Sequence, residues 1–473
     1  MSTATPAPAA HAFWTLDRAA DALADVAAGV ALPRGSEPLR AVTTDTRAIA
    51  PGDLFVALKG ERFDAHDFLA DAVAKGAAAV VVHDAARGGE LGVPVYAVTD
   101  TLVALGRLAR YWRRAWGRTV VAVAGSNGKT STKELLRAAL GGALDVHATT
   151  GNLNNLVGVP LTLLATPPSA ELAVIELGTN MPGEIARLRA IAEPELAVVT
   201  SIGEEHLEGL GDLAGVLREE SDVLDGVEVA VVPASQPEVA DAARGRARSI
   251  VAAGLDAGDF RAQRWSVGPD GEGELVVDGV TVQPPVRGVH NLRNAMLALA
   301  VARACGVPLD AAARGIAAMP VPSMRTAWGR LGGGRATLVN DAYNANPGSA
   351  RAALEVLTHA GPGRQRVAVL GTMRELGAHA DAMHDEIARR ALDSGADVVA
   401  GVGDFVAAFA RVAPDDPRVV AAPDVEELWP LLEPRLEPDA LILLKASRGV
   451  RLERLVPHLE GWAAAQHQAQ EAT

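Results

Sequence analysis

The chain has 473 residues, 49 % hydrophobic and 22 % charged, a globular mixture that excludes a disordered chain and suits roughly three domains. With 44 Lys and Arg against 58 Asp and Glu, the net charge of −14 and pI near 5.3 argue against a general nucleic-acid binder. A local basic pocket for a phosphorylated small molecule stays open, while the single cysteine, Cys305, excludes an internal disulfide framework and fits a reducing compartment.

Met1 to Ala10 lacks a charged n-region and an apolar h-region, so it reads as a flexible leader. From Leu39 to about Trp116, β-rich pieces (Leu54–Leu58, Ala79–His83, Val95–Val98) alternate with Ala-rich helical stretches. The aromatic, basic run Tyr111 to Trp116 reads as the end of an amphipathic helix. Thr119–Ala124 is uninterrupted and apolar, as expected of a strand inside a parallel sheet. Thr150–Ala170 carries no charge, but its three Asn and three Pro rule out a spanning helix. Apolar runs at Leu172–Leu177, Leu196–Thr200 and Val227–Val232, with helical material between, indicate an α/β sandwich. Asp278-Gly279, between Glu274–Val277 and Val280–Val282, predicts a hairpin with a type I′ turn. Asn291–Cys305 reads as a helix, and Cys305 as a small buried hydrophobe. After the Pro-containing stretch Met319–Pro322, strands at Ala336–Asn340, Val367–Leu370, Asp397–Val402 and Ala440–Leu444 alternate with helices as a second, Rossmann-like unit.

Chemistry concentrates at strand ends. Gly125-Ser126-Asn127-Gly128-Lys129-Thr130 follows one apolar strand and precedes a helix. Its glycines let backbone N–H groups curl around a polyphosphate, and the helix N-terminus adds a favourable dipole. Lys129 offers a cation to the β/γ phosphates and Thr130 a hydroxyl to Mg²⁺. Val123 stands where the eight-residue Walker pattern wants Gly, so the loop is a variant. The only lysines are Lys59, Lys75, Lys129, Lys133 and Lys445, which singles out Lys129 further. Glu176 ends a strand on the edge where ligands bind in open parallel sheets, so it faces either Mg²⁺ or plain solvent. His206 stands at another strand end, as a ligand or a structural residue. Asn291 and Asn294 suit an adenine edge, with helix capping the competing role for Asn291. Asn340 to Pro347 is dense in amides, and Lys445 to Gly449 gathers two cations and a hydroxyl for an anionic group.

Together these segments resemble the Mur ligases of peptidoglycan synthesis over almost the whole chain. The resemblance takes in Thr43–Arg47, Pro51–Gly60, Asp64–Phe68, Gly125–Lys133, Gly151–Pro160, Glu176–Gly178 and His206–Gly209. It continues through His290–Ala295, Asp341–Pro347, Leu370–Gly377 and Lys445–Gly449. Within the family, Asp-Ala-Tyr-Asn-Ala-Asn-Pro and Lys-Ala-Ser-Arg resemble the member that joins D-alanyl-D-alanine to UDP-N-acetylmuramoyl-tripeptide. The Asp-Asn-Pro-Arg motif common in the sibling that adds the third peptide residue is absent. The implied fold is α/β in three domains: a UDP-sugar-binding domain at 1–116, a P-loop ATPase-like parallel-sheet domain at 117–320 and a Rossmann-like ligase domain at 321–473.

The implied cofactors are ATP and Mg²⁺, and the implied setting is a cytoplasmic monomer with no membrane or nucleic-acid partner. By the same resemblance, Gly125, Ser126, Asn127, Gly128, Lys129, Thr130 and Ser131 cradle the phosphates. Thr130, Glu176 and His206 serve the metal, Asn291 and Asn294 face adenine, Asp341 lies near the ribose, and Arg325 reaches the γ-phosphate on closure. Thr46, Arg47, Lys59 and His66 belong to the segment around the UDP-sugar. Asn154 joins the substrate set, and Asn344, Asn346, Ser447 and Arg448 lie nearest the dipeptide. Members of the family often carry a carbamylated lysine some fourteen residues after the histidine. Glu220 stands there instead, and no lysine lies between Lys133 and Lys445. The expectation is that Glu220, or its neighbour Glu219, supplies the oxygen ligand. Thr372 replaces an acidic residue common in the family, which weakens any role for that position.

Overall fold

Runs of Val, Ala, Ile and Leu that are apolar on both strand faces can only be buried on both sides, and here they form parallel sheets sandwiched by helices. The computed structural model describes residues 13–60, 63–89, 91–268, 270–321, 324–359 and 363–471. The expected leader and Pro322 of the boundary stretch lie outside them.

β1 (Val42–Thr43), β2 (Leu54–Val56), β3 (Ala79–Val82) and β4 (Val95–Ala97) form a parallel sheet in sequential order. The helix Thr101–Trp116 leads out of it. Asp100 caps this helix by accepting from the N–H groups of Leu102 and Val103, and Gly117 stops it in the left-handed region at φ 65°. Its end is the amphipathic one expected: Trp112 and Trp116 are buried, while Arg113 pairs with Glu195 and Arg110 and Arg114 with Glu193.

The central sheet comprises β5 (Thr119–Ala124), β6 (Val146–Ala148), β7 (Leu172–Glu176), β8 (Leu196–Val199), β9 (Val229–Pro233), β10 (Ser249–Gly254) and β11 (Phe260–Arg261). All pairings are parallel, in the order β11-β10-β9-β8-β5-β7-β6. Along β5, Val120, Ala122 and Ala124 pack into one core and Val121 and Val123 into the opposite one, which explains the unbroken apolar run. The chain leaves β5 to one side for β6 and β7 and later returns on the other for β8. The carboxyl end of β5 is therefore the topological switch point, where open α/β sheets bind ligands. β12 (Arg264–Val267), β13 (Gly273–Val277) and β14 (Val280–Val282) form a small antiparallel sheet. Its turn residues, Asp278 at φ 48° and Gly279 at φ 79°, meet the two positive φ values of a type I′ hairpin.

The third sheet contains β15 (Ala327–Arg330), β16 (Thr337–Asp341), β17 (Arg366–Gly371), β18 (Val398–Val402), β19 (Val419–Ala422) and β20 (Leu441–Lys445). Their order is β15-β16-β20-β17-β18-β19, with only the edge strand β15 antiparallel. β15 is an addition to the strands legible in the sequence. Cys305 is half-buried, and burial pushes its thiol up to about 11. Among the described residues no helix is long and apolar enough to cross a membrane.

Candidate active site

The loop after β5 curls because Gly125 and Gly128 take φ 119° and 85°. A Cβ on Gly125 would come within 2.5 Å of the Thr200 hydroxyl, and one on Gly128 within 2.8 Å of the Asn294 amide. The loop is fixed from behind. Ser126 N–H donates to the Ser201 carbonyl at 2.7 Å, Asn127 N–H to the Ser201 hydroxyl at 3.1 Å, and Gly125 N–H to Glu220 at 2.7 Å. The helix Lys129–Gly141 follows at once, and its first N–H groups have no partner within the helix. The loop thus presents the dipole end of a helix to a cavity of about 990 Å³ lined by Ser126 to Ser131.

Lys129 folds back over the loop, donating to the Gly125 carbonyl, to the Ser126 carbonyl at 3.1 Å and to Glu205 at 3.4 Å. Burial acts to lower its pKa, but Glu205, Glu220 and Glu176 outweigh it, so the net shift is upward and the ammonium is retained. On the other side, Thr130 donates to Glu176 at 3.0 Å and Asn154 Nδ2 donates to the same carboxylate at 2.9 Å. Thr130, Glu176 and Asn154 are thereby brought together, with Glu176 buried. Glu205, which sequence reasoning passed over beside His206, is the carboxylate that meets both Lys129 and His206. His206, held at φ 54°, pairs through Nδ1 with Glu375 of the third domain.

The two neighbouring glutamates separate cleanly. Glu219 accepts from Gly183 N–H at 2.6 Å, Ile185 N–H at 2.8 Å and the Thr179 hydroxyl at 3.1 Å, and so closes the N-terminus of the helix Glu184–Ala192. Glu220 is 1 % exposed and faces the phosphate loop. Burial raises its pKa first of all, against the Lys129 cation and the Gly125 N–H.

Asn291 and Asn294 line the cavity, joined by a 3.2 Å bond from Asn294 Nδ2 to Asn291 Oδ1. Asn291 is not the helix cap; Gly288 occupies that position, and Asn291 Nδ2 donates to the Arg287 carbonyl. Across the cavity the third domain contributes Arg325, stacked 4.1 Å over the Tyr343 ring, with Asp341, Asn344, Asn346 and Lys445. Lys445 pairs with Asp341 at 2.7 Å and donates to the Asn344 carbonyl at 2.7 Å. Asn346 Nδ2 donates to Asn127 Oδ1 at 2.8 Å, tying the third domain to the phosphate loop, while its Oδ1 accepts from Ser349 N–H. The amide-rich cluster is thus a docking contact as well as a cavity wall.

Other expected substrate residues lie outside this cavity. Ser447 is buried between the Ala345 carbonyl and Arg374 N–H, and Arg448 pairs with Glu453. Thr46, Arg47, Lys59 and His66 sit on the N-terminal domain: Thr46 offers its carbonyl to Lys75, Arg47 pairs with Asp45, and the Lys59 backbone forms an isolated antiparallel β-bridge with Asp64. His66 is buried, with Nδ1 2.6 Å from Asp64 and Nε2 accepting from His83 N–H at 3.1 Å. Both ring nitrogens are satisfied by the neutral tautomer, and burial depresses the pKa. The unfolded state therefore takes up a proton that the folded state refuses. The stability of the N-terminal domain is expected to fall as pH drops below ~6.5, read as the midpoint of thermal unfolding, and His66→Gln should flatten that slope.

For a divalent cation, Thr130 and Glu176 offer hard oxygen donors beside the helix N-terminus, which suits Mg²⁺. Among the described residues no three His, Cys, Asp or Glu side chains converge as a complete metal cage.

A phosphate loop at a parallel-sheet switch point, roofed by a second α/β domain, defines a nucleotide-binding enzyme that works between domains. Three family models match: "Mur ligase family, catalytic domain" over 38–113, "Mur ligase middle domain" over 123–302 and "Mur ligase, glutamate ligase domain" over 325–448. A UDP-N-acetylmuramoyl-tripeptide–D-alanyl-D-alanine ligase of Bacillus subtilis is 34 % identical over 89 % of this chain and 93 % of its own. Its namesake from Escherichia coli is 40 % identical over 77 % of this chain and 81 % of its own. Among solved structures, MurF from Acinetobacter baumannii superposes with a TM-score of 0.85 at 31 % identity, covering 95 % of this chain and 99 % of that one. MurF from Thermotoga maritima in complex with ADP gives 0.78 at 27 % identity, covering 90 % and 98 %. The chain belongs to the Mur ligase family.

Proposed function

We propose that this chain is an ATP-dependent ligase that joins D-alanyl-D-alanine to UDP-N-acetylmuramoyl-tripeptide, giving the pentapeptide, ADP and phosphate for peptidoglycan synthesis. The observation that carries the reading is the likeness, over nearly full length, to relatives bearing that activity in their names. The site is suited to it. A tripeptide carboxylate oxygen attacks the γ-phosphorus and ADP leaves; the dipeptide amine then attacks the acyl carbon and phosphate leaves.

Lys129 leaves the loop carbonyls for the β/γ phosphates, and the first-turn N–H groups at Gly128 to Ser131 hold the same anion. Thr130 and Glu176 would hold Mg²⁺, with His206 and Glu220 as further candidates; the ion supplies charge neutralisation at the transferring group. Arg325 faces the γ-phosphate from the third domain, Asn291 and Asn294 the adenine, and Asp341 the ribose. Asn154 orients Glu176 at the carboxylate. Thr46, Arg47 and Lys59 meet the UDP-sugar on a segment that His66 orders. Asn344, with Arg448 further out, meets the dipeptide, while Asn346 and Ser447 fix the walls of its pocket. We divide the chain at 116 and 320, and place it in the cytoplasm as a monomer.

ADP release measured with UDP-N-acetylmuramoyl-tripeptide, with and without D-alanyl-D-alanine, tests the reading. Sustained release is expected only when both are present. Release that ignores the dipeptide rejects the assignment.

A further inference from the structure

The segment after β8, residues 200–206, touches two partners at once. Toward the phosphate loop, Thr200 donates to the Asn127 carbonyl at 2.6 Å, Gly203 N–H donates to Ser126 Oγ at 2.9 Å, and Glu205 holds Lys129. Toward the third domain it presents Glu204 and His206. Glu204 meets Arg351 at 2.8 and 3.3 Å. Arg351 also binds Glu386 at 2.9 and 2.7 Å, so its guanidinium fork is shared between two carboxylates from two domains. It rides on the helix Pro347–His359, whose start is tied to the loop by Asn346 and Asn127. The flanking carboxylates hold the guanidinium well above its ordinary range, and Arg351 and Arg390 pull Glu386 down to about 2.

We propose that Arg351 is a positioning residue for the ligase reaction: by joining Glu204 to Glu386 it seats the third domain on the segment that holds Lys129 and the phosphate loop. Arginine is required because a lysine ammonium is a point charge and cannot present separate edges to two carboxylates. The three side chains are only partly exposed and the contacts are bidentate on each side, so they act through geometry as well as charge. Arg351 and Glu204 stand in the wall of the same cavity, and the Arg351 guanidinium is taken up by the two carboxylates. It acts through Glu204 on the arch beneath it and, through the docked helix, on the placement of Arg325.

This inference rests on the proposed activity for its kinetic arm, while its second arm does not. In the full chain, Arg351→Met and Glu204→Gln are each expected to lower kcat about tenfold, with KM for ATP moved less than about threefold. The double variant should fall no further than either single one, and Arg351→Lys should recover only part of the loss. Glu386→Gln, which leaves the bond to Glu204, should cost less than Glu204→Gln. The opposite order, or additive losses, would reduce Arg351 to a staple within the third domain and overturn the proposal. Small-angle scattering with a non-hydrolysable ATP analogue supplies the second arm. Wild type should compact and Arg351→Met should compact less; equal compaction overturns the proposal whatever the substrates are. A wild-type chain that compacts but shows no dipeptide-dependent turnover would instead defeat the proposed activity.

Discussion

Lys129→Met is expected to lower ADP formation by about 10²–10³-fold, the scale on which removal of one preorganised charge-stabilising group acts. The argument is electrostatic. Lys129 opens the helix that follows the loop and is surrounded by Glu205, Glu220 and Glu176, which hold it protonated in spite of burial. It lies on the loop's own carbonyls, so its charge sits inside the site. Lys129→Arg is expected to recover little of the rate, because a planar fork needs more room than a loop pressed against Thr200 and Asn294 leaves. Lys129→Met has a second signature, in stability. Without the ammonium the buried Glu220 loses its main counter-charge and its pKa, already raised by burial, rises further, so the folded variant binds a proton that the unfolded chain releases. Its stability should therefore fall as pH rises from ~4.5, the unfolded carboxylate range, to ~6, more steeply than wild type. Thermal melts at the two pH values check this separately from turnover, and a variant with normal kcat would remove Lys129 from the chemistry.

Elements whose signal is local were readable before the structure. The unbroken apolar run of β5 required a two-faced sheet, and Asp278-Gly279 required positive φ at both positions; each was found. Glu176 and Thr130 also meet, since a strand end and the next-door helix start share one edge of a parallel sheet. What escaped the sequence has no period to betray it. Glu205 lies in an irregular segment beside a more conspicuous histidine, and only the fold reveals that it faces Lys129. Arg351 reads as one exposed arginine on a helix until Glu204, 147 residues away, is brought beneath it. Asn346, expected near the dipeptide, also accepts from Ser349 N–H at the start of its helix and grips Asn127, a contact 219 residues apart that no local pattern could announce. The Ser447 hydroxyl likewise has partners that lie far off in sequence: it donates to the Ala345 carbonyl and accepts from Arg374 N–H.

Glu220 and Glu219 make the sharpest pair of expected results, because adjacent helix residues point about 100° apart and here reach different structures. Glu219→Ala strips the acceptor from two backbone N–H groups and a threonine at the start of the helix Glu184–Ala192. The cost is expected in stability, about 1–3 kcal/mol, with kcat retained in the molecules that fold. Glu220→Ala removes a carboxylate that anchors Gly125 N–H and counters Lys129, so turnover should fall about 10²-fold, most severely when Mg²⁺ is limiting. No lysine lies between Lys133 and Lys445, so the segment around Glu220 has no amine on which CO₂ could form a carbamate. Removing bicarbonate should accordingly leave the native chain at full rate. Glu220→Gln divides the two duties: its amide oxygen can still accept from Gly125, but it brings no negative charge to Lys129 or a cation. Full activity in Glu220→Gln would reduce the residue to a loop anchor, and full activity in Glu220→Ala at limiting Mg²⁺ would remove it from the site altogether.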